Sequence, residues 1–248
     1  MRMKKLTFLS LFLSLLVFSL FFAALAEPLI LADPNAGEVI YSLGDSGMTY
    51  TYAYAYPRVD ESELSAQLIN SFYDYKVSDA LDFEVPMLVD YYTDHLPDTD
   101  IFVRITFEVT CNTEDYFSVL IRSEGNDYLT WTGHTFSRND LRPGSSVALP
   151  YLLGLLASEE SDTWLQDRQT ARADELVRAM VWEQLSQRMD LPEDLDEAAL
   201  TYLFYPEEDF YLDAEETPVF YLEPGLLSDS EESLLIFPIP VADILDEM

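Results

Sequence analysis

Residues 101–138 carry the most regular alternation of apolar and polar positions in the chain. Val103, Ile105, Phe107 and Val109 alternate with Phe102, Arg104, Thr106, Glu108 and Thr110. Successive side chains of a strand point to opposite faces, so this period of two predicts a half-buried strand. Turn residues occupy 111–115, after which Phe117, Val119 and Ile121 share one face, with Ser118 and Arg122 on the other. Gly125, Asn126 and Asp127 allow a second reversal, because Gly and Asn adopt positive φ at little cost. A third strand is predicted over 128–136, with Leu129 and Trp131 in phase. A meander with one apolar face must cover that face, and flanking helices can do so.

Two helices are available. Asp60 and Glu63 have capping-box spacing, and Leu64, Leu68, Ile69, Phe72 and Tyr73 recur at helical intervals, which predicts a helix over 61–80. Pro86 interrupts any continuation of that helix, and 87–95 reads equally as helix or connection. Ser161 or Asp162 can cap a long helix over 163–189 with a stripe of Leu176, Val177, Met180, Leu185 and Met189. Leu191 and Pro192 end it, and Pro192 can open a short helix over 193–200. Shorter strands are predicted at 38–43, 50–56, 209–212, 219–222 and 234–239, a brief one at 147–149, and short helices at 151–156 and 241–247.

The N-terminus changes the location of this domain. Met-Arg-Met-Lys-Lys is followed by an apolar run over 6–22 and then Ala-Ala-Leu-Ala. These are the three parts of a secretory signal peptide, with cleavage expected after Ala26. The alternative is a retained anchor, since the run is near the ~18 residues at which spanning begins. No cysteine follows the run, which excludes a thioether-linked lipid anchor, and no second long apolar run predicts another span. The expected location is extracellular or in the cell envelope.

Charge narrows the partners. All 46 acidic residues lie beyond residue 26, while three of the 13 basic ones precede it, leaving −36 against −33 for the whole chain. Nucleic acid and anionic membrane surfaces need Lys and Arg, so both are excluded. A cationic partner would be steered in, or the charge serves only solubility. At 49% hydrophobic and 14% aromatic residues, the chain can still bury a sizeable core. Cys111 is the only cysteine, so no intramolecular disulfide forms; its expected role is a small apolar residue near a strand end.

Candidate chemistry is sparse. Tyr50, Tyr52, Tyr54 and Tyr56 alternate with Thr51, Ala53 and Ala55, which reads either as a packed sheet face or as an aromatic platform for sugar rings. With two histidines and one cysteine, a His/Cys zinc site is not expected, and His95 and His134 are read as surface or hydrogen-bonding residues. No serine-nucleophile elbow, phosphate loop or metalloprotease helix is present. The acid clusters Asp98/Asp100, Asp194/Asp196/Glu197 and Glu207/Glu208/Asp209 lack the twelve-residue calcium loop and read as solvated surface. A glycosidase-like carboxylate pair would need a spatial separation of roughly 5–10 Å that sequence does not give.

Taken in order, residues 115–119, 128–136, the Leu-x-Pro-Gly stretch at 141–144 with Val147 and Leu149, the long helix, 209–212, 219–221 and 237–240 resemble the extracellular domain of RsiV-type anti-sigma factors. Those factors sense lysozyme, and the same domain type accompanies some peptidoglycan deacetylases without catalysing. Only five residues precede the apolar run here, so sigma-factor signalling is not expected, and residues 226–232 stand where the family often has a glycine-containing stretch.

The expected fold is α+β: an antiparallel sheet, the meander at its centre, covered on one face by two main helices. It occupies 27–248 as one domain or as lobes 27–100 and 101–248. The expected function is non-catalytic binding of a lysozyme-like cationic protein or of peptidoglycan, with no cofactor and no metal. The alternative is a carboxylate-based hydrolase acting on wall glycan.

Overall fold

The computed structural model describes residues 27–139, 141–155, 163–188, 196–223 and 234–248. The signal segment, the Ser161/Asp162 cap, Met189, Leu191, Pro192, Asp194 and residues 226–232 lie outside these. Among the described residues, no helix is long and apolar enough to cross a membrane.

The fold is α+β, built on a five-stranded sheet in the order β1 (Asn35–Ser42), β2 (Thr49–Tyr56), β3 (Ile101–Asn112), β4 (Tyr116–Gly125) and β5 (Leu129–Ser137). The meander is antiparallel, as the alternation requires, and Val103, Ile105, Phe107 and Val109 share a core with Phe117, Val119 and Ile121. β2 pairs with β3 in parallel, which corrects the all-antiparallel expectation. A parallel pair needs a long crossover, and here helices supply it. These are α1 (Leu64–Asp79), a π turn (Ala80–Glu84) and α2 (Val85–Asp94). Pro86 is therefore tolerated in the first turn of α2, immediately after the wide turn. One sheet thus runs across residue 100, with β2 paired to β3.

The predicted cap of α1 is displaced. Glu63 is the N-cap and makes no side-chain cap bond; its carboxylate instead takes the Arg138 guanidinium at 3.0 Å and the Ser65 hydroxyl. The Arg138 side chain is 2% exposed and also donates to the carbonyls of Thr113 and Glu27, fastening the chain's first described residues to the sheet.

The long helix α4 (Thr163–Arg188; α3 is the single turn Leu149–Leu152) covers a different surface from α1. Ala173, Val177, Val181 and Leu185, each four residues apart, are buried in a second core with Phe210, Leu212, Phe220, Leu222 and Phe237. The stripe thus centres one position away from the predicted Leu176 and Met180. A short helix α5 (Leu200–Leu203) comes next, then the strands β6 (Phe210–Leu212), β7 (Pro218–Leu222) and β8 (Leu235–Pro238), an antiparallel sheet of three closed by α6 (Val241–Glu247). No strand forms at 147–149, where Val147 donates one hydrogen bond to Thr135.

The two sheets meet on the face of the meander opposite α1. Ser118 Oγ accepts from Leu212 N–H at 3.0 Å and lies 2.9 Å from Thr135 Oγ1. Gly133 is required there, because a Cβ would collide with the Phe210 carbonyl. A bulge between Val109 and Cys111 advances the phase by one, which turns Cys111 into the second core. The outer edge of β5 is also closed. Trp131 N–H donates to Glu223 at 3.0 Å and Gly133 N–H to the Tyr221 hydroxyl at 2.9 Å, leaving little open edge for another chain.

Candidate functional site

The tyrosine face of β2 lies inside the first core. Tyr50, Tyr52 and Tyr56 are 1%, 5% and 8% exposed, packed with Ile69, Tyr73 and Val77 of α1. Tyr56 stacks on Tyr73 with ring centres 5.5 Å apart, and Tyr54 lies across Gly37 of β1. Tyr50, Tyr52 and Tyr56 are too buried to stack on a glycan, and the partly buried Tyr54 alone is no platform, so Tyr50, Tyr52, Tyr54 and Tyr56 do not form an exposed aromatic face. The small alternate residues leave the other face thin, and α1 takes the tyrosine face because that is where the apolar area is. Burial raises the hydroxyl pKa values of Tyr50, Tyr52 and Tyr56.

Tyr50 has a second neighbourhood. At the start of β2 it forms part of the wall of a cleft of about 280 Å³, with Tyr92 and Leu88 of α2, Phe102 of β3, and Asp127 and Tyr128 of the β4–β5 turn. The turn is fixed by Asn126, which accepts from Phe102 N–H at 2.9 Å and donates to the Asp100 carbonyl at 2.9 Å. Asp100 in turn accepts from Thr49 N–H, which ties β2 to the same corner. Gly125 has no side chain to block the Tyr128 ring, which lies against it. The rings of Tyr50 and Tyr92 are 6.0 Å apart at a 31° tilt. The Tyr50 hydroxyl is buried without a hydrogen-bond partner among the described residues. Its pKa is pushed up to about 12, chiefly by burial, then by Tyr128, Tyr92 and Glu84.

A second, acidic region surrounds Arg178. On one side a cleft of about 380 Å³ is lined by Asp174, Tyr205, Glu207 and Glu208; on the other, about 430 Å³ is lined by Glu175, Asp196, Glu197 and Thr201. Two acid clusters legible in the sequence are thus brought to either side of one guanidinium. Asp174 was not legible as part of it. The Asp174 carboxylate lies 3.8 Å from Arg178, and its other oxygen has no partner among the described residues. Burial pushes its pKa up to about 6, Glu207 adds to the rise, and Arg178 opposes it. Asp209 is also raised to about 6, by burial first; Tyr205 N–H, donating at 2.7 Å, works the other way, and Glu223 and Glu208 add to the rise. Such acids take up a proton at about pH 6, well above the ordinary aspartate value. No group of three or more metal-ligating side chains is found among the described residues.

The histidines divide. His95 is exposed and stacks on Tyr91 at 4.6 Å. His134 faces the first core, although it is out of phase with Leu129 and Trp131, because the register sets it opposite Val119. Its Nδ1 lies 3.2 Å from the Tyr73 hydroxyl, and Phe72 and Phe136 pack on the ring. Trp131 falls in the other phase, beside Arg122. Cys111 is buried as expected, and burial raises its thiol to about 11.

No protein-family model matches the chain, and no curated protein matches it in sequence. Two solved structures are similar in shape. One is a member of the DUF3298 family from Bacteroides fragilis, at 14% identity and a TM-score of 0.44, covering 89% of this chain and 94% of that one. The other is a DUF3298 family protein from Pseudomonas aeruginosa, at 12% identity and a TM-score of 0.49, covering 88% and 94%. At identities and scores this low, neither carries any activity over to this chain.

Proposed function

We propose that this chain is a non-catalytic binding domain of the cell envelope, exported by residues 1–26, whose partner is a basic wall-degrading enzyme of the lysozyme type. The observation that carries it is the charge of −36 beyond residue 26. Of the ten basic residues there, Arg58, Arg122, Arg138, Arg172 and Arg178 each hold a carboxylate of the same chain. Ten basic residues against 46 acidic ones leave the surplus acid with few counter-ions within the chain. Such a field accelerates encounter with a cationic protein, and specific contacts must then hold the complex once salt screens the field. The resemblance of the strand and turn order to lysozyme-sensing domains points to the same kind of partner. Titration of the purified chain with lysozyme at low and at physiological salt tests it. One-to-one binding that persists at physiological salt is expected; binding confined to low salt would reduce it to generic charge attraction, and retention on peptidoglycan alone would replace the partner.

The raised Asp174 carboxyl beside Glu207 in a cleft favours a second reading, hydrolysis of wall glycan with Asp174 as the acid. Release of reducing sugar from peptidoglycan by the chain, lost in Asp174→Asn, would establish it. No release by the unaltered chain would remove it.

A further inference from the structure

We propose that the cleft between β2, α2 and the β4–β5 turn receives the protonated amine of a lysine side chain. Three tyrosines and a phenylalanine wall the cleft, and the face of an aromatic ring attracts a cation held within about 6 Å of its centre. The Tyr50 and Tyr92 rings lie against each other, centres 6.0 Å apart at a 31° angle, so the aromatic wall runs on from β2 to α2. Asp127 stands among the lining residues, and no Lys or Arg lines the cleft among the described residues. Every charge in reach therefore favours a positive guest. The Tyr50 hydroxyl supplies the independent observation: buried polar groups are nearly always bonded, and this one, 1% exposed as a residue, has no partner among the described residues. An ammonium N–H can donate to it, which a hydrocarbon guest cannot. The mouth is lined by half-exposed apolar side chains, Leu88 at 37%, Phe102 at 37% and Tyr128 at 45%, suited to the methylene stem that precedes a lysine amine.

This deepens the proposed function by naming what a basic partner inserts, and it rests on that reading for the source of the lysine. The acidic clefts at Arg178 offer no such cage, since a guanidinium already lines both and Tyr205 is the one aromatic among their described lining residues.

n-Pentylammonium and the neutral, equally long 1-pentanol are the probes, added to the whole chain with ring-labelled tyrosines and followed by NMR. Saturable shifts confined to the Tyr50, Tyr92 and Tyr128 rings are expected with n-pentylammonium, with 1-pentanol at least ten-fold weaker. Tyr128→Ala should weaken n-pentylammonium at least ten-fold; its side chain is half exposed and the Gly125 N–H bond to its carbonyl remains, so the fold should persist. Asp127→Asn, which removes only charge, should weaken it several-fold. Equal binding of the two probes, shifts that never saturate, or an unaltered affinity in both variants would each overturn the assignment. Lysozyme binding serves as the separating arm. Lysozyme held equally by Tyr128→Ala and the parent, with no n-pentylammonium binding, would sink the cleft and keep the partner; n-pentylammonium binding with no lysozyme binding would sink the partner and keep the ammonium site.

Discussion

His134 should make the stability of this protein fall as the pH drops from 6.5 towards 4. Its ring is enclosed by Phe72 and Tyr73 of α1 and Phe136 of β5, and burial lowers its pKa to about 4, with Lys76 adding to the fall. An unfolded chain protonates this histidine near 6.5, so between the two values the unfolded state binds the extra proton and stability declines with falling pH. One pKa unit corresponds to about 1.4 kcal/mol, which gives a loss of about 2 kcal/mol between pH 7 and pH 5 and about 3 kcal/mol by pH 4. Asp174 and Asp209 oppose this. Their folded values near 6 lie above the unfolded value of 3.8, so the folded state binds protons first and gains stability as pH falls through the same window. The total profile therefore mixes both signs, and a difference measurement isolates the histidine. His134→Phe keeps a ring of similar shape and cannot titrate. It leaves the Tyr73 hydroxyl without its 3.2 Å contact, a fixed cost of about 1–3 kcal/mol at every pH. Urea unfolding followed by tryptophan fluorescence at pH 7, 6 and 5 would give both stabilities. The gap between parent and variant should shift by about 2 kcal/mol in favour of the variant from pH 7 to pH 5. A gap constant to within about 0.5 kcal/mol would mean that the ring is hydrated or already charged, and the reasoning would fail.

Arg138→Ala should cost about 2–3 kcal/mol, because it strips partners from Glu63, Thr113 and Glu27 at once; the partial exposure of Glu63 keeps the figure below that of a fully buried pair. Chemical denaturation measures the cost, and a loss under about 0.5 kcal/mol would show that the network is redundant. Gly133→Ala should destabilise by about 3 kcal/mol, since its Cβ would be driven into the Phe210 carbonyl where the two sheets meet; a melting temperature within a degree of the parent's would contradict that contact. Cys111, buried with a thiol raised to about 11, should resist a disulfide reagent at pH 8 in the folded protein and react at once in denaturant; rapid labelling without denaturant would place it at the surface.

Much of the sheet could be read from the sequence because a period of two is a local property. The alternations through Val103–Val109 and Phe117–Ile121 fix which side chains share a face without reference to any neighbour. The α+β class, the lone buried cysteine and the acid surplus come in the same way from residue type and order. Pairing does not. Whether β2 runs parallel or antiparallel to β3 depends on where the crossover helices bring the chain back, and the sequence of either strand is compatible with both. The phase of β5, read with Leu129 and Trp131 together and His134 on the polar side, came out reversed, because Trp131 and His134 are both large and partly polar; only the register with β4, Arg122 opposite Trp131 and Val119 opposite His134, decided which faced the core.

The sites show the same division. The Tyr50–Tyr56 ladder was visible as an aromatic face, but its burial was settled by α1, whose Ile69 and Tyr73 pack on it. The cleft at Tyr50 and the acidic region at Arg178 each assemble residues far apart in the chain, Tyr50 with Tyr128, and Asp174 with Glu207. By itself the sequence determined periodicity, charge and the types of residue on offer, since these are set by covalent order. The tertiary structure alone decided which of them meet, because strand register, helix placement and the collapse of two cores onto opposite faces of one sheet are properties of the packed chain.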